Sequence, residues 1–112
     1  MTRSSPPLAC NMNAFSTEER RRYDALRAAV TKAIVEVSEL AHGYRSRLGD
    51  GVAVGDVGEW MALERRCCPF LEIGLRLEEG GAVWVDMTGR PGVKEILQSE
   101  FEIFRVSGPR TS

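Results

Sequence analysis

From Leu71 to Leu77 the chain alternates. Leu71, Ile73, Leu75 and Leu77 are apolar, and Glu72, Arg76 and Glu78 are charged. That period of two is the signature of a half-buried strand. Glu79-Gly80-Gly81 then turns the chain, and Val83, Val85 and Met87 form a returning strand. Paired glycines suit a hairpin because they accept positive φ.

Other stretches follow the helical period. Ser16 with Glu19 three residues on makes a capping box, and Tyr23, Leu26, Val30 and Ala33 follow at helical spacing. We expect this helix to reach about Lys32. Ile34–Leu40 and Tyr44–Leu48, joined through Ala41-His42-Gly43, alternate as a hairpin would. The alternative is one long helix to Ala41. Asp56 can cap a second helix from Val57 to about Cys67. Pro69 stops it, since the residue before a proline is pushed out of the helical region. Pro91 sits where a third helix would start, with Val93, Ile96, Leu97, Phe101 and Phe104 as its apolar stripe.

The order α-β-β-α-β-β-α predicts an α+β domain of two layers, a four-stranded antiparallel sheet with helices on one face. One domain over residues 8–104 is expected, between tails at 1–7 and 105–112. A chain of 112 residues, 43% hydrophobic and 28% charged, has the composition of a folded domain rather than a disordered one. Its net charge of -1 provides no field for nucleic acid or an anionic membrane. No apolar run is long enough to span a bilayer, and Met1–Ala9 lacks the apolar core of a signal peptide. The expected compartment is the cytoplasm, with no membrane or nucleic-acid partner; a homodimer stays open. There, three cysteines point to metal binding or catalysis rather than structural disulfides.

The chemistry concentrates in Glu64-Arg65-Arg66-Cys67-Cys68-Pro69-Phe70. At about 100° per residue, Val57, Trp60, Met61, Glu64, Cys67 and Cys68 share one stripe of the second helix. Glu64 is thus the one charge on the face meant for the core, where it must be protonated, paired or coordinated. It stands i to i+3 from Cys67 and i to i+4 from Cys68, spacings at which side chains meet. A helix C-terminus disfavours anions, so thiolates here need a metal or the neighbouring Arg65 and Arg66. The plainer reading is that both cysteines are small core residues.

Cys10 is the remaining thiol, in a segment with Leu8, Met12 and Phe15 that is apolar enough to pack on the domain. If it crosses the helix end, three sulfurs converge. Such a set suits mercury, arsenite, lead or copper(I), whereas zinc would take a fourth ligand such as Glu64. A Cys67–Cys68 disulfide ranks below metal binding because its small ring is strained. Cys68-Pro69 is only the minimal haem-regulatory dipeptide. His42 reads as a solvated turn residue, Trp60 as core, and Arg20-Arg21-Arg22 as a solvated helix face. Trp84 lies opposite Val83 and Val85, where it lines a ligand surface or packs under a tail. Gly89-Arg90-Pro91-Gly92 reads as a turn, with an anion site at the helix start as the sharper alternative.

Glu59-Trp60, Glu64 to Phe70 and Thr88-Gly-Arg-Pro-Gly-Val-Lys-Glu95 resemble a group of short, uncharacterised bacterial proteins associated with resistance to mercury and other thiophilic metals. The resemblance runs from Cys10 to about Glu100. It implies that Cys10, Cys67 and Cys68 act together; His42 stands where the group carries an acidic turn residue.

Three functions compete. One is a small protein that captures a soft ion (mercury, copper(I), arsenite or zinc) through Cys10, Cys67 and Cys68, with Glu64 as ligand or close neighbour. Another is a thiol enzyme with Cys67 or Cys68 as nucleophile and Glu64 as general acid or base, organometal cleavage included. The third is an interaction module whose cysteines only pack.

Overall fold

The Ser16 hydroxyl accepts from the Glu19 backbone N–H at 3.1 Å, and the Glu19 carboxylate accepts from the Ser16 N–H at 3.0 Å. This reciprocal cap starts α1, Thr17–Ala33. The computed structural model describes residues 8–106; the expected tails at 1–7 and from 107 on lie outside the described residues.

After α1 come β1 (Ile34–Leu40), β2 (Gly43–Leu48), α2 (Val54–Cys67), β3 (Glu72–Leu77), β4 (Val83–Thr88), α3 (Val93–Glu100) and α4 (Glu102–Val106). The hairpin after α1 is therefore real, and one long helix is not formed. β-branched Ile34, Val35 and Val37 favour the pleated state. The four strands pair antiparallel in the order β1-β2-β4-β3. Gly80 and Gly81, at φ 92° and 98°, occupy the turn between β3 and β4.

One face of the sheet carries Tyr44, Leu48, Val85 and Met87, all buried. Val30 of α1, Trp60 of α2 and Phe104 of α4 border the same small interior space as Leu48, Val85 and Met87. The opposite face carries ion pairs, Arg45 with Asp86 at 2.8 Å and Arg47 with Glu36 at 3.0 Å. Trp84 lies on that face, its indole N–H donating to Glu78 at 3.1 Å.

Three expectations need correction. α2 begins at Val54, with Ala53 rather than Asp56 at the cap position and no side-chain cap; Asp56 sits inside the first turn, where a carboxylate favours the helix dipole. Its side chain pairs across to Arg22 of α1 at 3.4 Å. The third helix is two helices, because α3 ends where Phe101 turns extended (φ -126°, ψ 108°). Arg105 accordingly belongs to α4 rather than to a tail. Pro91 precedes α3 instead of opening it, and Gly92 takes the cap position at φ 101°, a conformation open to glycine.

Candidate thiol and carboxyl site

The site forms where α2 runs out. Cys68 leaves the helical region (φ -126°, ψ 73°), as its place before Pro69 demands. The last carbonyls of any helix lack partners within it. Here the Cys67 carbonyl accepts from the Asn11 N–H at 2.6 Å. That bond lays the leading segment across the helix end, where Met12–Ala14 forms one 3-10 turn. Arg66 reinforces the crossing, donating to the Ala14 carbonyl and to Glu19, each at 2.8 Å, with its guanidinium over the Phe15 ring.

This geometry brings Cys10 onto Cys68, while the compact group of possible ligands among the described residues is Glu64, Cys67 and Cys68, without Cys10. Cys10 and Cys68 are joined as a disulfide, and Cys67 is the free thiol, buried. The expectation that the cysteines form no structural disulfide is corrected by this bond. A bond across 58 residues of sequence forms because the Asn11–Cys67 hydrogen bond holds the neighbouring residues side by side. Cys67 and Cys68 are not bonded to each other; their sulfurs lie 3.4 Å apart.

Glu64 is 1% exposed, Cys67 0% and Cys68 2%. The Cys67 thiol donates to the Glu64 carbonyl at 3.5 Å and approaches carboxyl Oε2 at 3.9 Å. Oε2 is also 3.4 Å from Cys68 Sγ. A disulfide sulfur carries no hydrogen, so Cys68 does not donate to the carboxyl there. Burial raises the Glu64 pKa, partly opposed by the Tyr23 hydrogen bond and by the Arg27 charge. Burial also pushes the Cys67 thiol up to about 11, with the Glu64 charge adding to it. The Trp60 indole N–H is buried without a hydrogen-bond partner, although it favours the charged form of Glu64 from nearby.

Two members of the cluster carry no sequence signal of their own. Tyr23 donates to Glu64 Oε1 at 2.9 Å, and Arg27 donates to the Tyr23 oxygen at 3.1 Å. Arg27 also donates to the Glu100 carbonyl and lies 3.6 Å from the Glu100 carboxylate. In the sequence Tyr23 counts as part of α1's apolar stripe; its i to i+4 spacing to Arg27 was the one usable hint. The cation serving the site is therefore Arg27. Of Arg65 and Arg66, expected as alternatives to a metal for balancing the thiolates, Arg65 is exposed and Arg66 is committed to Glu19.

No family model, curated protein or solved structure matches this chain.

His42 lies exposed in the turn between β1 and β2, remote in sequence and element from the cluster. Among the described residues, the one group of three or more metal-capable side chains is Glu64, Cys67 and Cys68, whose ligand atoms lie within 4.8 Å of one another.

Proposed function

We propose that the protein captures a thiophilic metal ion at the end of α2. In the reduced protein Cys67, Cys68 and Cys10 are the thiolate ligands, and Glu64 is a fourth ligand or a hydrogen-bonding neighbour. The observation that carries this reading is the enclosure of Glu64 Oε2, Cys67 Sγ and Cys68 Sγ within 4.8 Å, all buried.

Metal–sulfur bonds of about 2.3 Å at tetrahedral or trigonal angles separate sulfurs by about 3.8–4.0 Å. The Cys67–Cys68 pair, at 3.4 Å, needs to open by only a few tenths of an ångström. A linear two-sulfur ion would need a far larger separation, so the pair favours three- or four-coordination. Thiolate ligands select soft ions such as mercury, copper(I) and arsenite; zinc fits with Glu64 as fourth ligand. The raised thiol pKa makes capture release protons and strengthen with pH.

The test is native mass spectrometry of the reduced protein after separate titrations with mercury(II), copper(I), zinc(II) and arsenite. One ion per chain is expected, lost in Cys67→Ser and in Cys68→Ser. Retention of none of these ions defeats the reading. It would leave the cysteines as packing groups in an interaction module.

One observation favours a second reading. Glu64 Oε2 lies within 3.4–3.9 Å of two sulfurs, and burial favours its protonated form. An organometal bound there by thiolates could have its carbon–metal bond protonated by that carboxyl, releasing the hydrocarbon and leaving the metal on sulfur. Glu64→Gln would then keep the organometal and release no hydrocarbon; equal turnover in that variant would refute catalysis.

A further inference from the structure

The Cys10–Cys68 bond has two unlike ends. Cys68 is sealed at 2% exposed, whereas Cys10 is only partly covered, between exposed Ala9 and exposed Asn11. Thiol–disulfide exchange starts with a thiolate attacking one of the two sulfurs, and access decides which. Nor is the bond the sole tether of the leading segment. The Asn11–Cys67 backbone hydrogen bond, the Arg66–Ala14 bond and the Phe15–Tyr23 ring contact at 5.1 Å hold it independently. The bond can therefore break while its two halves stay in place.

We propose that Cys10–Cys68 is an exchangeable disulfide, opened at Cys10 by a dithiol reductant, and that its opening makes the metal site available. The second half of this statement rests on the soft-metal reading; the first does not.

The chemistry balances as follows. A thiolate of the reductant attacks Cys10 Sγ and forms a mixed disulfide. The Cys10–Cys68 bond breaks, and its electron pair leaves on Cys68 Sγ. That sulfur ends as a thiol on a proton supplied by water. The second thiol of the reductant, deprotonated, attacks its own sulfur in the mixed disulfide and releases Cys10, which takes a proton from water. The reductant is oxidised to a disulfide, and the protein gains two electrons and two protons as two thiols. Before this step only Cys67 and Glu64 can act as anionic ligands, since a disulfide sulfur is no thiolate. After it, three thiols stand at the end of one helix.

The experiment uses the oxidised full chain with excess dithiothreitol, and compares the reduction rate with the global unfolding rate under the same conditions. Reduction at least about tenfold faster than unfolding is expected. The earliest acid-quenched adduct, mapped by peptide mass, should sit on Cys10. An adduct on Cys68, or reduction no faster than unfolding, overturns the exchange. Oxidised and reduced protein, freed of reductant, are then titrated with mercury(II) against excess iodide, a competitor that leaves disulfides intact. Retention of one ion by the reduced form alone supports the coupling. Equal retention by both forms overturns the coupling. Retention by neither overturns it together with the soft-metal reading, and leaves the exchange standing on its kinetics.

Discussion

Glu64 is a carboxyl whose surroundings favour its proton. Burial is the first cause of its raised pKa, and the hydrogen bond from Tyr23 only tempers that. The folded state therefore binds a proton that the unfolded chain gives up near 4.5. The contribution to stability is complete below that value and is lost as pH rises through the folded pKa. Relative to Glu64→Gln, the wild type should lose stability as pH climbs from 4.5 toward neutrality, measured by urea unfolding at a series of pH values. Parallel curves for the two proteins would mean that the folded carboxyl titrates normally. Cys67 behaves in the same sense at higher pH. Its thiol, ordinarily near 9, is pushed up to about 11, so iodoacetamide should label the folded oxidised protein slowly at pH 8 and faster toward pH 11. Rapid labelling of folded protein at pH 8 would contradict this burial.

At the scale of elements, the junction of α1 with α2 builds the site. α1 supplies Tyr23 and Arg27, and α2 supplies Glu64 and Cys67. The two helices are clamped by exposed pairs, Arg22 with Glu59 at 2.7 Å and Arg66 with Glu19 at 2.8 Å. Pairs of this kind contribute little each because solvent screens them. The Arg66 guanidinium and the Ser16 backbone hold the Glu19 carboxyl down to about 2. Glu19 serves twice, in the capping box and as the partner of Arg66. Ser16→Ala should therefore cost about 1 kcal/mol of stability through lost capping. Thermal unfolding checks this, and an unchanged midpoint would show that the cap is redundant.

For the whole molecule, the disulfide ties the leading segment to the centre of the chain, 58 residues away. Closing a loop of that size stabilises a fold by roughly 2–4 kcal/mol, chiefly by restricting the unfolded chain. Cys10→Ser should lower the stability of the oxidised protein by about that much and match the reduced wild type in guanidinium unfolding. A variant as stable as the oxidised wild type would mean that the bond contributes nothing globally. Among the described residues no helix is long and apolar enough to cross a membrane.

Local signals were enough for much of this architecture. The capping box, the alternation in β3 and β4 and the Gly80-Gly81 turn are all contacts between near neighbours, so the sequence alone carries them. The same holds for the inward turn of Glu64 and Cys67, which follows from helical spacing in α2. Only the tertiary structure decided which groups meet that face. Tyr23 and Arg27 arrive from a helix some forty residues away, and no periodicity distinguishes a tyrosine that packs from one that donates to a buried carboxyl. Whether Cys10 reaches Cys68 depended on long-range contacts of the leading segment, among them the orphan carbonyl at the end of α2 accepting the Asn11 N–H and Arg66 donating to Ala14. The split of α3 from α4 at Phe101 was equally hidden, because an apolar stripe continues through a break when both pieces pack on one core. Sequence sets what each residue can do within its own turn or strand. Burial, partner and bond state come from chain segments that only folding brings together.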